Sequence, residues 1–197
     1  MNEKRSAVIE RNTKETQINL TLELDGKGDY SIQTSVGFFN HMLELFTRHG
    51  LFNLTLEAKG DIHVDYHHLV EDVGICLGKA FHKALGDCSG IKRYASITLP
   101  MDESLVSVAL DIGGRPCLVY NVPDFKGKVG EFDFELVEEF LRGFVTNAKM
   151  NLHVDLIRGE NLHHIAEAIF KGISRALREA IEKDNRVTGI PSTKGIL

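Results

Sequence analysis

The sequence has no tryptophan and only four prolines, and nowhere does it run apolar for long enough to span a bilayer. Its three cysteines, Cys76, Cys88 and Cys117, are odd in number, widely spaced and without a CxxC pair, so neither a disulfide framework nor a thiolate zinc site is indicated. Cations are in the minority: 23 Lys and Arg against 28 Asp and Glu give a formal charge of −5, which disfavours a sequence-independent grip on nucleic acid. Residues 1–15 alternate charges and lack an apolar h-region, so no secretory leader is indicated and a cytoplasmic location is expected. What is left, 197 residues of which 43% are hydrophobic and 26% charged, is the composition of a soluble globular protein of one domain or two small halves.

The unusual count is nine histidines, four of them in the adjacent pairs His67-His68 and His163-His164. Around them the hydrophobic pattern alternates between strand and helix periods. Gln17 to Leu24 alternates at period two, and the glycines of Asp25-Gly26-Lys27-Gly28-Asp29 suggest a hairpin turn into Tyr30 to Ser35. Phe38 to Arg48 has helical spacing, Phe52 to Ala58 reads as a strand, and a longer helix is expected from Tyr66 to Leu85, stopped by Gly86. Strands follow over Ile91 to Leu99, Leu105 to Ile112 and Cys117 to Val122. Then the earlier order returns, with a helix over Phe134 to Asn147, a strand over Asn151 to Leu156 and a helix from Asn161 to Lys183 carrying an i+4 stripe of Ile165, Ile169, Ile173, Leu177 and Ile181.

The return is an internal duplication. Asp65-Tyr66-His67-His68-Leu69-Val70-Glu71 aligns with Asn161-Leu162-His163-His164-Ile165-Ala166-Glu167, and with a slightly shorter loop Asn53-Leu54 falls on Asn151-Leu152 and Phe46 on Phe144. The expected fold is therefore an α+β sandwich with pseudo-twofold symmetry, its helices packed between two mixed β-sheets. Residues 1–90 form one half, residues 91–197 the other, and together they make one compact domain.

Asp65 and Asn161 are good N-cap residues, so each His pair opens a helix with a glutamate one turn on. The N-terminal helix dipole disfavours imidazolium, and neutral imidazoles beside a carboxylate suit a transition metal such as manganese, iron, zinc or nickel. A single HHxxE on a helix is more often surface histidines than ligands. Two copies retained in duplicated halves, while the neighbouring Asp72 has become Ala168, favour a metal site. Its candidate ligands are His67, His68, Glu71, His163, His164 and Glu167, joined by His41 and by Glu139, the second-half counterpart of His41. His153 lies on a strand, where packing accounts for it equally well.

Four cations stand in suggestive places: Arg93, Arg115 in Gly113-Gly114-Arg115-Pro116, Lys171 two turns past His163, and Lys194 in Pro191-Ser192-Thr193-Lys194-Gly195. Each can be a solvated cation or part of a phosphate grip. From the residues alone, a metal-dependent lyase, a dinuclear phosphate-ester hydrolase and a metal-stapled oligomer all stay open.

These segments, with Arg11 to Thr16, Phe39-Asn40-His41-Met42, Gly60-Asp61, Glu71-Asp72-Val73-Gly74 and Pro100-Met101-Asp102-Glu103, resemble imidazoleglycerol-phosphate dehydratase of histidine biosynthesis nearly end to end. The resemblance implies a hydro-lyase that converts imidazole glycerol phosphate to imidazole acetol phosphate. It implies two Mn²⁺ ions per active site, and sites assembled between neighbouring subunits of a 24-subunit shell. It also implies a phosphate grip of Arg93, Arg115, Lys171, Ser192 and Lys194, with Glu15 and Asp102 at the reacting carbons. No nucleic-acid or membrane partner is implied. The chemistry is coherent: the carbon to be deprotonated has no carbonyl beside it, so the substrate's ring must hold the electrons. Metal-stabilised imidazolate can expel the hydroxyl to give a diazafulvene-like intermediate, after which Glu15, Glu71 or Glu167 serves as acid or base.

Overall fold

In the computed structural model, which describes residues 4–197, the chain builds two four-stranded mixed sheets with four helices. Met1 to Glu3, the start of the segment read as lacking a leader, lie outside the described residues. The first half runs β1 (Ser6–Asn12), β2 (Thr16–Glu23), β3 (Tyr30–Gln33), α1 (Gly37–Gly50), β4 (Asn53–Gly60) and α2 (His67–Leu85). The second runs β5 (Tyr94–Met101), β6 (Ser104–Asp111), β7 (Cys117–Asn121), a short β8/β9 ribbon (Lys128–Val129, Phe132–Asp133), α3 (Leu136–Ala148), β10 (Asn151–Arg158) and α4 (Leu162–Ala180).

The duplication is explicit in the pairing. The orders β1-β2-β4-β3 and β5-β6-β10-β7 match strand for strand, and in both sheets the first two pairings are antiparallel and the last is parallel. This corrects the expected hairpin. β2 and β3 do not pair with each other but flank β4, and the hairpin partner of β2 is β1, whose Ser6, Val8 and Glu10 are exposed while Ala7, Ile9 and Arg11 lie on the more buried face. The last helix ends at Ala180, and Ile91 contributes only a bridge to Lys183 before β5 begins.

Each sheet alternates buried and wetter positions, so one face is free to pack. Helix α2 lies on β1 and β2, and α4 lies on β5 and β6. Between the sheets α2 packs on α3 and α1 on α4, so each half lends helices to the other. Without tryptophan, phenylalanine fills the centre: Phe39, Phe46, Phe81, Phe140, Phe144 and Phe170 are all buried. The repeat-equivalent Phe46 and Phe144 meet edge to face at 6.0 Å, which puts the pseudo-twofold axis between them. Helices α2 and α3 cross closely because glycines face backbone there: a Cβ on Gly78 would lie 2.4 Å from the Phe144 carbonyl oxygen, and one on Gly143 would lie 2.8 Å from that of Glu71.

Candidate metal centre and anion cleft

Both His pairs stand at helix starts; Asn161 is the N-cap of the second, as the sequence suggests, whereas the N-cap of the first is Tyr66, with Asp65 one residue earlier. The Asn161 side chain accepts hydrogen bonds from the backbone N–H groups of His163 and His164, and Asp65 accepts one from that of His67. In each pair the two rings are nearly perpendicular, with centroids 6.2 Å apart in both halves, so each helix start aims imidazoles in two directions.

The first histidine of each pair faces its own helix. His163 Nε2 lies 3.0 Å from Glu167 Oε1, and His67 Nε2 lies 3.9 Å from Glu71 Oε2. Helix α1 adds His41, whose Nε2 is 3.1 Å from the same Glu167 oxygen. His41, His163 and Glu167 thus offer three ligand atoms within 4.8 Å of one another, the one such group among the described residues. Two imidazole nitrogens and a buried carboxylate oxygen form a donor set that accepts a divalent first-row metal. Burial opposes ionisation of Glu167, but hydrogen bonds from Lys171, His41 and His163 outweigh it and bring its pKa down to about 2, so the carboxylate is held ready as an anion. Lys171, one turn further along α4, hydrogen-bonds the other carboxylate oxygen of Glu167.

The second histidine of each pair has a different partner. His68 Nδ1 is 3.0 Å from Asp61 Oδ2, just beyond β4, and His164 Nδ1 is 2.6 Å from Glu103 Oε2 in the β5–β6 turn. These contacts raise the pKa of both histidines, and two hydrogen bonds to Glu103, one from the His164 ring and one from the Asn161 N–H, bring its pKa down to about 2. Neither Asp61 nor Glu103 stands out in the sequence as a site residue. An acidic residue in a turn is unremarkable until the fold brings an imidazole to it.

Asp102 precedes Glu103 in a left-handed conformation, exposed, with Oδ2 3.7 Å from His164 Nε2. Glu15 occupies the corresponding turn of the first half, immediately before β2. Its carbonyl accepts from the Asp61 N–H, while its exposed carboxylate makes no hydrogen bond or ion pair among the described residues. That turn is anchored from below. The buried Asp72 binds Arg11 at 2.8 Å and Thr16 Oγ1 at 2.5 Å, and Thr13 Oγ1 accepts from the Glu15 and Thr16 N–H groups. The side chain of Glu139, half-buried on α3, makes no hydrogen bond or ion pair among the described residues and is not in the His41–His163–Glu167 group, and His153 is exposed on the outer face of β10.

Four of the five candidate phosphate residues, Arg93, Arg115, Ser192 and Lys194, line one cleft of about 850 Å³ between the β6–β7 loop and the C-terminal tail. Arg93 is already held by Asp111 through two hydrogen bonds and donates a third to the Pro191 carbonyl, which ties the tail to the sheet. The fifth, Lys171, belongs to the Glu167 cluster instead. No metal-candidate residue lines the cleft.

The family model described as imidazoleglycerol-phosphate dehydratase matches residues 34–177. The imidazoleglycerol-phosphate dehydratase of Citrifermentans bemidjiense is 60% identical over 193 residues, covering 98% of this chain and 99% of that protein. Among solved structures, the enzyme of that name from Staphylococcus aureus superposes with a TM-score of 0.83 at 45% identity, covering 91% of this chain and 99% of the other. The Pyrococcus furiosus structure, in complex with (S)-C348, gives 0.82 at 33% identity, covering 96% and 100%.

Proposed function

This chain belongs to the imidazoleglycerol-phosphate dehydratase family, hydro-lyases of histidine biosynthesis, and we propose that it dehydrates imidazole glycerol phosphate at a site that takes two Mn²⁺ ions. The observation that carries this reading is the convergence of His41 from α1 with His163 and Glu167 from α4 on one point. His164, His67, His68 and Glu71 complete the ligand set, with Glu139 as a further candidate.

Held by these residues, such cations would supply electrostatic stabilisation of the anionic form of the substrate's ring. The protein's own groups do the rest. Arg93, Arg115, Ser192 and Lys194, with Lys171, hold the phosphate, and that remote binding energy fixes the reacting end in place. Glu15 has an unengaged carboxylate on a turn braced by Asp72 and Thr13, the condition for a group that must accept a proton from carbon. Asp102, Glu71 and Glu167 are the other carboxylates within the site. Lys171 holds Glu167 ionised, which suits Glu167 to ligation more than to acid catalysis.

The anion cleft and the histidine cluster share no residue within one chain, which supports a site completed between subunits, and the family resemblance implies a homo-oligomer of 24 copies. No helix among the described residues is long and apolar enough to cross a membrane. On this reading the enzyme acts in the cytoplasm on a small phosphorylated imidazole. Incubation with Mn²⁺ and imidazole glycerol phosphate should yield imidazole acetol phosphate. Release of inorganic phosphate alone would indicate a hydrolase, and tight metal retention without turnover would indicate a structural staple. Metal content and particle mass of the purified protein test the remainder.

A further inference from the structure

The duplicated helix starts are chemically asymmetric in one respect and alike in another. His67 and His163 turn Nε2 toward a glutamate on their own helix, whereas His68 and His164 turn Nδ1 toward a carboxylate from elsewhere in the same half. Those second partners come from non-equivalent positions. Asp61 follows β4, while Glu103 precedes β6; the residue that precedes β2 in the first half is Glu15, and it leaves His68 to Asp61. The contact has been supplied twice from different places, so it is not a passive relic of the duplication.

A carboxylate can only accept a hydrogen bond, so each contact requires the hydrogen on Nδ1 and leaves the Nε2 lone pair free in the neutral ring. A partner of this kind fixes both the tautomer and the orientation of a ligating imidazole. We infer that Asp61 and Glu103 are positioning residues that set His68 and His164 as Nε2 ligands. The division of labour has a consequence for Glu15. With Asp61 engaged on His68, the Glu15 carboxylate is left without a hydrogen bond or ion pair among the described residues.

The inference rests on the reading of the His pairs as ligands, and the test separates the two. Metal-stripped protein carrying Asp61→Asn or Glu103→Gln is titrated with MnCl₂ by calorimetry, beside His68→Ala. The ring nitrogens of the stripped protein are read by solid-state ¹⁵N NMR. An amide can donate as well as accept, so each variant lifts the tautomer constraint while keeping the shape. Glu103→Gln can also keep the acceptor that serves the Asn161 N–H and Ser104 Oγ. The expected result is a 10–100-fold weaker Mn²⁺ affinity, a ring signal redistributed toward the other tautomer, and an unchanged melting temperature of the stripped protein. Wild-type affinity and ring signals in Asp61→Asn, with metal lost in His68→Ala, overturn the inference alone. Wild-type affinity in His68→Ala as well overturns the ligand assignment beneath it. If Glu103→Gln lowers the melting temperature, Asp61→Asn decides the outcome.

Discussion

Glu167 and His41 are 126 residues apart in the chain, yet their Oε1 and Nε2 atoms are 3.1 Å apart, brought together because α1 of the first half packs on α4 of the second. The candidate metal centre is therefore a product of the duplication. Neither half contains it.

Glu167→Gln keeps the volume but removes the anion that faces two imidazoles and Lys171. Turnover with Mn²⁺ should fall by more than about 100-fold, since loss of a ligand should cost at least as much as loss of a supporting partner. His67→Ala and His163→Ala should likewise abolish activity and weaken assembly, as read by light scattering. Wild-type turnover in any of the three removes that residue from the site.

Arg115→Ala should act on binding. A charge-assisted hydrogen bond to phosphate contributes about 1.5–3 kcal/mol, so KM should rise roughly 10–100-fold with a matching fall in kcat/KM. Steady-state kinetics decide this, and an unchanged KM takes Arg115 out of the phosphate grip.

Gly78→Ala sets two effects against each other. Alanine gains about 1 kcal/mol of helix propensity over glycine, but its Cβ would meet the Phe144 carbonyl oxygen at 2.4 Å and the Ala148 nitrogen at 2.9 Å, both main-chain atoms that can move only with helix α3. Overpacking of this kind costs about 1–3 kcal/mol, so the clash should win. A melting temperature several degrees lower is expected, and a rise would mean that the helices separate more easily than their packing suggests.

A pH effect follows from Arg5, which grips Asp25 through Nε at 2.8 Å while its Nη1 donates to the Ile181 carbonyl. The hydrogen bond from Arg5 lowers the Asp25 pKa below its ordinary value of 3.8. A depressed folded-state pKa gives stability that is fully present above the unfolded value and is lost as the pH falls through the folded one. The contribution should therefore be intact above about pH 5 and fade below about pH 4. Asp25 is half exposed, so solvent screening limits it to less than about 1 kcal/mol. Arg5→Met should show a shallower acid limb in urea unfolding measured at several pH values. An identical limb would mean that the pair contributes nothing.

The sequence made most of the elements legible, but neither β1 nor the short β8/β9 ribbon, and not all of the neighbours of the rest. Period-two alternation identifies β2 and β3 as strands, yet a glycine-rich link between them says nothing of the strand that inserts between, and β4 takes that place. The metal-candidate helices were readable from Asn161, Asp65 and the repeated HHxxE, because caps and i+4 spacing are local properties. His41 was readable from its register with the repeat. Its counterpart by the same count, Glu139, lies on α3, which packs chiefly on α2 with His67 and Glu71, so it is not part of the His41–His163–Glu167 group. Asp61 and Glu103 were invisible as partners, since their role depends on contacts that only the tertiary fold creates.

The exchange of helix partners between the sheets has a bearing on how the molecule can be divided. A fragment ending near residue 90 would bare the sides of α1 and α2 that α4 and α3 normally cover, so it should aggregate or pair with its own copies. Expressed together, the two fragments carry complementary surfaces and should reassemble, much as two identical ancestral chains would have done before a single gene encoded both.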